Sequence, residues 1–415
     1  MKQENKKRIL FVSIAFPPKK DSEGIQVAKY FRALVEKGHN FSFDVVTSSL
    51  PTLNMPYEPE FEEFDSGYEQ KITVNIPESK YVNFLLRKIY PAAVNKPDSK
   101  FFFSAQWRSV VRKLKKIPDL IYSRSYPLSS ALMAYKLASH YQVPWILHLS
   151  DPWTLSPVHH YGGRVAEWHD KWERQCFEKA DVVCFTSETT IRLYEEKYPL
   201  LLHKFKMSPN VYDEDNISTE EIELGKKLRI VYTGGMVGER SLKWLLSALR
   251  LLNGRIDNLS DKLEIIVAGE MDSYNRNLLK QYEMDYINYL GPVSFKDSIK
   301  LQRSAHILLL IDSPLLEGKK SMFFPSKLLD YMVAGRRTMA VTPASSTSET
   351  IVDQLGGDVF QHNEDERIAD YLTMCLAKHE SSDINFFIRR DVLQQYDSHY
   401  QAKQLLCMME EVLSN

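Results

Sequence analysis

Residues 9–14 (ILFVSI) form an apolar run of strand length, and the proline-bearing loop FPPKKDSEG follows it. Residues 25–37 then carry apolar side chains at helical spacing, with Val27, Phe31, Leu34 and Val35 on one face, and Gly38 ends the helix. Residues 43–48 (FDVVTS) make a second strand. Strand, loop, helix, glycine and strand form one βαβ unit, which commits the start of the chain to a parallel sheet with helices on its faces. The pattern restarts at residues 228–234 (LRIVYTG), followed by the glycine turn GGMVGE, a helix over 241–252 and a strand over 263–269 (LEIIVAG). Two such runs predict two Rossmann-like α/β domains joined near residue 210.

Between these anchors the alternation is regular. Strands are expected at 120–124, 145–150 (WILHLS, ending in Asp151-Pro152-Trp153) and 181–187, with helices at 128–141, 164–179 and 188–198. Ser208-Pro209-Asn210 and the acidic run to Glu223 read as the connection between domains. The second half continues with helices at 274–282 and 294–303 and strands at 287–290 and 307–311. Residues 50–75 are acidic and turn-rich, a surface excursion. Residues 388–413 read as helix. The expected domains are 1–210, 211–387, and a closing helix in 388–415 that returns to the N-terminal domain.

At about 150 residues per domain, 415 residues allow two or three domains. A content of 44% hydrophobic and 26% charged residues is that of a soluble globular protein. No apolar run approaches the roughly 20 residues that span a bilayer. The basic start MKQENKKR before an apolar run superficially resembles a signal peptide, but the run is short, reads as a strand and lacks a small-residue cleavage site. Cys176, Cys184, Cys375 and Cys407 show no CxxC spacing and read as free buried thiols of a reducing cytoplasm, with a Cys176/Cys184 metal pair as the other reading. Net charge is −1 but unevenly placed: residues 1–200 hold 28 Lys/Arg against 23 Asp/Glu, and residues 201–415 hold 25 against 31. The two halves therefore present different surfaces.

Residues 80–116 carry ten Lys/Arg against one acid, Asp98, with Tyr81, Phe84, Tyr90, Phe101, Phe102, Phe103 and Trp107 interleaved. Two readings are open. The stretch adsorbs to an anionic membrane surface, or the aromatics are core and the lysines a solvated face. No nucleic-acid motif accompanies it.

Residues 323–342 (FFPSKLLDYMVAGRRTMAVT) read as loop, short helix and strand. Ser326 is the expected N-cap and Gly335 the left-handed C-terminal residue, with Leu328, Leu329, Met332 and Val333 as the buried stripe. Asp330 falls off that stripe, near the helix start. With the apolar run HILLLI upstream, the order strand, loop, helix N-terminus is that of a nucleotide site at the carboxyl edge of a parallel sheet. In the other reading Lys327 and Asp330 are ordinary surface charges.

Four stretches together resemble the GT-B glycosyltransferases of family GT4. They are ILFVSIAFPP with Gly24 and LVEKGHNFSFDVVTS, then PWILHLSDPW, VYTGGMVGER and PSKLLDYMVAGRRTMAV. Each is weak alone, and their order and spacing over most of the chain carry the resemblance. It implies two Rossmann-like domains facing each other across a cleft and retaining transfer from a nucleotide sugar, a UDP- or GDP-sugar, to a glycan or lipid-linked acceptor. The setting it implies is surface polysaccharide or glycolipid synthesis in the cytoplasm, with peripheral contact at the inner face of the membrane. The donor site it implies comprises Gly24, Gly234, Gly235, Arg240, Lys243, Lys327 and Asp330. Asp330 stands where the family's carboxylate bonds ribose hydroxyls. Met322 stands where the family has its first glutamate, with Glu317 the nearest substitute. Arg240 and Lys243 are three residues apart, where the family's diphosphate pair is five apart.

A sugar leaving a nucleotide needs its diphosphate charge stabilised, and cations with helix N-termini do this without a metal. Arg240, Lys327 and the amides of Gly234 and Gly235 suit that role. The sequence has no DxD-type carboxylate cluster, so no metal cofactor is expected. Asp151, at the carboxyl end of a strand, is the candidate base on the acceptor side or else caps the next turn. His148, on the same strand, is a second catalytic candidate or a satisfied core residue. The competing function is an inert sugar-nucleotide-binding protein that uses the fold as an interaction module; a third, a GT-B nucleotide-sugar epimerase, suits the Asp-Pro-Trp segment and the proline-bearing first loop less well.

Overall fold

The computed structural model describes the chain except for residues 1–5, 20, 50–54, 78–79, 90, 157–160, 214–223, 316–320, 382–387, 390 and 415. Glu317 and Tyr90 lie outside the described residues. The chain divides into one unit of residues 1–211 with 396–415 and a second of residues 212–395.

The first unit is built on strands β1 (Lys7–Val12), β2 (Phe41–Ser48), β3 (Gln70–Val74), β4 (Leu120–Ser125), β5 (Trp145–Leu149), β6 (Val182–Phe185) and β7 (Phe205–Met207). They form one parallel sheet in the order β3-β2-β1-β4-β5-β6-β7. Because the central strands are covered on both faces, β1 is apolar beyond its first two residues, and Ile9, Leu10, Phe11 and Val12 are all fully buried. Phe11 packs edge-on against Phe16 and Phe31. The closing helix Ser398–Ser414 packs on helix Ser22–Lys37 and buries Ala402, Leu405 and Met409 in this core.

The second unit repeats the plan with β8 (Leu228–Thr233), β9 (Leu263–Ala268), β10 (Ile287–Gly291), β11 (Ile307–Ile311), β12 (Arg337–Val341) and β13 (Asp358–Phe360). The order is β10-β9-β8-β11-β12-β13, again parallel. In each sheet the chain winds outward one way and then restarts on the other side of its first strand. The resulting switch points, β1/β4 and β8/β11, are where open α/β sheets bind ligands, outside the carboxyl ends of the strands.

Several expectations change. The acidic excursion contains a strand, β3, whose Ile72 and Val74 are buried beside β2. The last helix begins at Ser398 rather than 388, preceded by a short 3-10 turn at Leu393–Tyr396. Strands β7 and β13 and helices Thr347–Gln354 and Asp365–Glu380 were not anticipated. Pro325, not Ser326, caps helix Ser326–Ala334, while Gly335 does take the left-handed conformation, φ 69°. Tyr331 joins the buried stripe and Val333 is only half-buried. All four cysteines are free, and Cys407 is exposed.

The basic stretch 80–116 divides between its two readings. Phe103 is fully buried and Trp107 packs against the core, and even Lys100 is buried. Helix Lys80–Ile89 instead turns Tyr81 (84% exposed), Phe84 (57%), Leu85 (54%) and Ile89 (79%) to solvent. Arg108, Arg112, Lys113, Lys115 and Lys116 are exposed nearby in sequence. No helix among the described residues is long and apolar enough to cross a membrane.

Candidate functional site

At the β8/β11 switch point, β8 ends in the turn Gly234-Gly235. Gly234 has φ +122° and Gly269, at the end of β9, φ +138°. A Cβ on Gly269 would stand 2.1 Å from the Gly234 carbonyl oxygen, so only glycine lets the two strand ends approach this closely. The Gly234 amide donates to the Ala268 carbonyl at 2.8 Å. This corrects its expected role, since a donor spent in the turn cannot also hold a phosphate. Gly235 faces open space.

Helix Ser326–Ala334 brings Lys327 to this turn. Its Nζ donates to Tyr232 Oη at 2.8 Å and lies 4.1 Å from the ring centroid. Tyr232 Oη in turn donates to the Gly235 carbonyl at 2.8 Å. Amine, phenol and turn are thus one chain of hydrogen bonds. Arg240, on the loop after the turn, acts electrostatically on both Lys327 and Tyr232. Its Nε is buried without a hydrogen-bond partner among the described residues. An orphaned guanidinium donor beside a second cation is the arrangement that an anion would satisfy. Burial, then Arg240, pushes the Lys327 amine down to about 7, against Asp312 and Asp330. Asp330 lies half-buried on the same helix.

Lys243 is placed otherwise. It forms an ion pair with Glu239 at 2.9 Å and sits 4.2 Å from the Trp244 ring centroid. Met322 is buried, an apolar side chain where a sugar-binding glutamate was sought. Asp312, which follows β11, was missed. It accepts from Thr342 Oγ1 at 2.8 Å through its carboxylate, and its carbonyl meets His362 Nε2 at 3.0 Å. A charged residue straight after HILLLI was the available signal. Tyr232 was also missed, because an aromatic inside LRIVYTG reads as core.

The β1/β4 switch point of the first unit holds a further cluster. Arg124, near the end of β4, has no solvent exposure; its Nε donates to Glu23 Oε1 at 3.0 Å and its Nη2 to Asn210 Oδ1 at 2.7 Å. Ser150 Oγ donates to the same Glu23 oxygen at 2.7 Å. Burial raises Glu23 to about 7 although Arg124 opposes it. Asp151, just beyond β5, is raised to about 6 by burial, again against Arg124. Neither Glu23 nor Arg124 was singled out from sequence; an arginine inside the strand LIYSRS was the signal. His148 is fully buried within β5, its Nδ1 2.7 Å from Tyr122 Oη, and burial holds it well below its usual range. Gly24 lies in this first unit. Its amide donates to Asp21 Oδ1 at 2.7 Å, and a Cβ there would stand 2.4 Å from the Lys19 carbonyl. Trp153 of Asp-Pro-Trp is buried, its Nε1 donating to His169 Nδ1 at 2.8 Å. Among the described residues no group of three or more His, Cys, Asp and Glu could hold a metal ion.

Residues 24–199 match the family model described as a glycosyl transferase 4-like domain. No curated protein matches the chain in sequence. HepE of Anabaena, solved in complex with UDP and glucose, is similar in structure with a TM-score of 0.62 and 12% identity, covering 98% of this chain and 100% of its own. A glycosyltransferase from Rickettsia africae gives 0.64 and 13%, over 99% and 100%. Sucrose-phosphate synthase of Thermosynechococcus elongatus gives 0.63 and 13%, over 99% and 100%. Two parallel Rossmann-like sheets in this order are the GT-B fold. The chain has the GT-B fold, and residues 24–199 of its first unit match a glycosyl transferase 4-like domain.

Proposed function

We propose that the chain transfers a sugar, with retention of configuration, from a UDP- or GDP-sugar to a glycan or lipid-linked acceptor in surface polysaccharide or glycolipid synthesis. The observation that carries this is the pair Arg240 and Lys327 at the β8/β11 switch point. Lys327 has no described carboxylate within ion-pair distance, and the guanidinium keeps a buried donor unused. The diphosphate lies against these two cations, and Asp330 accepts from the ribose. Developing charge on the leaving phosphate is then met by fixed cations, so no divalent metal is needed. Lys243, neutralised by Glu239, has at most a minor part. HepE, which has this fold and was solved with UDP and glucose, supports a uridine nucleotide.

On the acceptor side Asp151 is the base. A carboxyl held near 6 is ionised at neutral pH yet basic enough to take a hydroxyl proton. His148, buried and bonded to Tyr122, supports the sheet rather than the reaction. Asp330→Ala weakens UDP or GDP binding by about 1.5–3 kcal/mol, the scale of a hydrogen bond to a charged group. Calorimetry checks this, and unchanged affinity would remove Asp330 from the site.

The acceptor is met at an anionic membrane surface. The apolar face of helix Lys80–Ile89 enters the interface, while exposed cations such as Arg112, Lys113, Lys115 and Lys116 add about 1 kcal/mol for each that reaches the headgroups. The wild-type protein co-sediments with anionic vesicles at low salt. Phe84→Ser with Ile89→Ser loses most of this binding, and so does changing the four cations to Ser. Equal, negligible pelleting of all three proteins would point to a soluble acceptor.

A further inference from the structure

We propose that Lys327 takes up a proton when a nucleoside diphosphate binds, so that the site captures its nucleotide and a proton together. The proposal rests on the nucleotide reading above and adds a linkage to it.

In the free site Lys327 is buried with no described counter-ion, and its contact with the Tyr232 ring, 4.1 Å from the centroid, is what favours the ammonium. Lys327 Nζ has one hydrogen-bond partner among the described residues, Tyr232 Oη, and that oxygen is itself donating to the Gly235 carbonyl. The amine lies against the Gly234 backbone, where a Cβ would come within 3.0 Å of it. Among the described residues, the charged and titratable groups around it are Tyr232 from β8, Arg240 from the following loop, Asp312 from the end of β11, and Asp330 and Tyr331 from its own helix. The two aspartates act only at a distance, and no described carboxylate forms an ion pair with Lys327. Asp312 is engaged by Thr342, and Arg240 is a permanent like charge. Burial beside Arg240 therefore sets the free amine to about 7. A diphosphate reverses the balance, because its negative charges outweigh the repulsion from Arg240 and return the amine towards its ordinary value. The difference between the two states must be filled by a proton from solvent.

Among the described residues no neighbour can supply the same signal between pH 7.5 and 8.5. A guanidinium does not titrate in this range. Burial raises Tyr232 far above this window and Tyr331 to about 12. His362, next to Asp312, is lowered and so neutral throughout. The terminal phosphate of free UDP or GDP, whose second pKa is about 6, is already ionised there.

The test is calorimetry of UDP and of GDP with the full chain at about pH 8, in two buffers of different ionisation enthalpy, together with affinity from about pH 7.5 to 8.5. The heat is expected to depend on the buffer with the sign of proton uptake, and affinity to fall roughly five- to tenfold across that unit of pH. Lys327→Arg binds the nucleotide with that dependence abolished, since a guanidinium is charged in both states. Lys327→Met binds more weakly and is equally flat. Wild-type binding without buffer-dependent heat would overturn the linkage while leaving the nucleotide site intact. Proton uptake persisting in Lys327→Arg or Lys327→Met would overturn its assignment to Lys327. Failure of the wild type to bind either nucleotide would overturn the underlying reading instead.

Discussion

Arg124→Met destabilises the first unit by about 3–5 kcal/mol at pH 8 and by clearly less at pH 5.5. The guanidinium is wholly buried, bonded to Glu23 and Asn210, and stacked 4.7 Å from the Tyr30 ring centroid. Methionine can replace part of the volume but leaves the Glu23 carboxylate buried without its counter-charge. The pH dependence follows from Glu23. Its folded value, about 7, lies above the usual 4.5, so its contribution to stability is full below about 4.5 and is lost as pH rises through about 7. Removing Arg124 raises that folded value further. The variant therefore loses more than the wild type as the pH climbs, and the gap between them is widest where both would carry an ionised Glu23. Asp151, on which Arg124 also acts, moves in the same direction. Urea denaturation at the two pH values measures the effect. An equal loss at both would mean that the lost packing, not the stranded carboxylate, dominates.

Gly269→Ala costs a few kcal/mol and removes nucleotide binding, whereas Gly235→Ala, in the same turn, costs under about 1 kcal/mol. The contrast is geometric. At Gly269 a Cβ meets the Gly234 carbonyl oxygen at 2.1 Å, and the backbone is at φ +138°. Backbone cannot move aside as a flexible side chain can, so β8 and β9 must part at the point where the turn presents Tyr232 and Gly235 to Lys327. At Gly235 a Cβ meets nothing within 4 Å. Thermal melts with and without UDP separate the two. Similar behaviour of both variants would show that the close approach of the strand ends is not what holds the turn.

The two sheets were legible because buried parallel strands are written as short apolar runs between glycine turns, as in ILFVSI and LEIIVAG. What escaped was short or polar. β7 and β13 have three residues each, too few for a pattern, and β3 lies in an acidic stretch whose buried Ile72 and Val74 are outnumbered by charges. Arg240, Lys327 and Asp330 were readable as charges punctuating a strand–turn–helix pattern. Their partners were not, because Tyr232 resembles core and Asp312 and Arg124 are single charges whose meaning depends on which strands become neighbours. Strand order decides that, and local pattern does not contain it. The amide of Gly234 was misread for a related reason: a glycine turn looks like a phosphate cradle until the strand beside it is known to take the donor.

The central claim is that the second unit holds a nucleotide sugar and that the chain turns it over without a metal. It is tested most directly by titrating the full chain with UDP, GDP, ADP and CMP in EDTA while following the melting transition, then supplying the matching nucleotide sugars and measuring nucleotide release. UDP or GDP is expected to raise the transition, by the equivalent of about 2.7 kcal/mol at 100 times its Kd. The corresponding sugar nucleotide is expected to be cleaved slowly even without acceptor. Binding without any release, with acceptor mixtures added, would make the chain an inert sugar-nucleotide-binding module. No shift with any of the four nucleotides would contradict the assignment of the site itself.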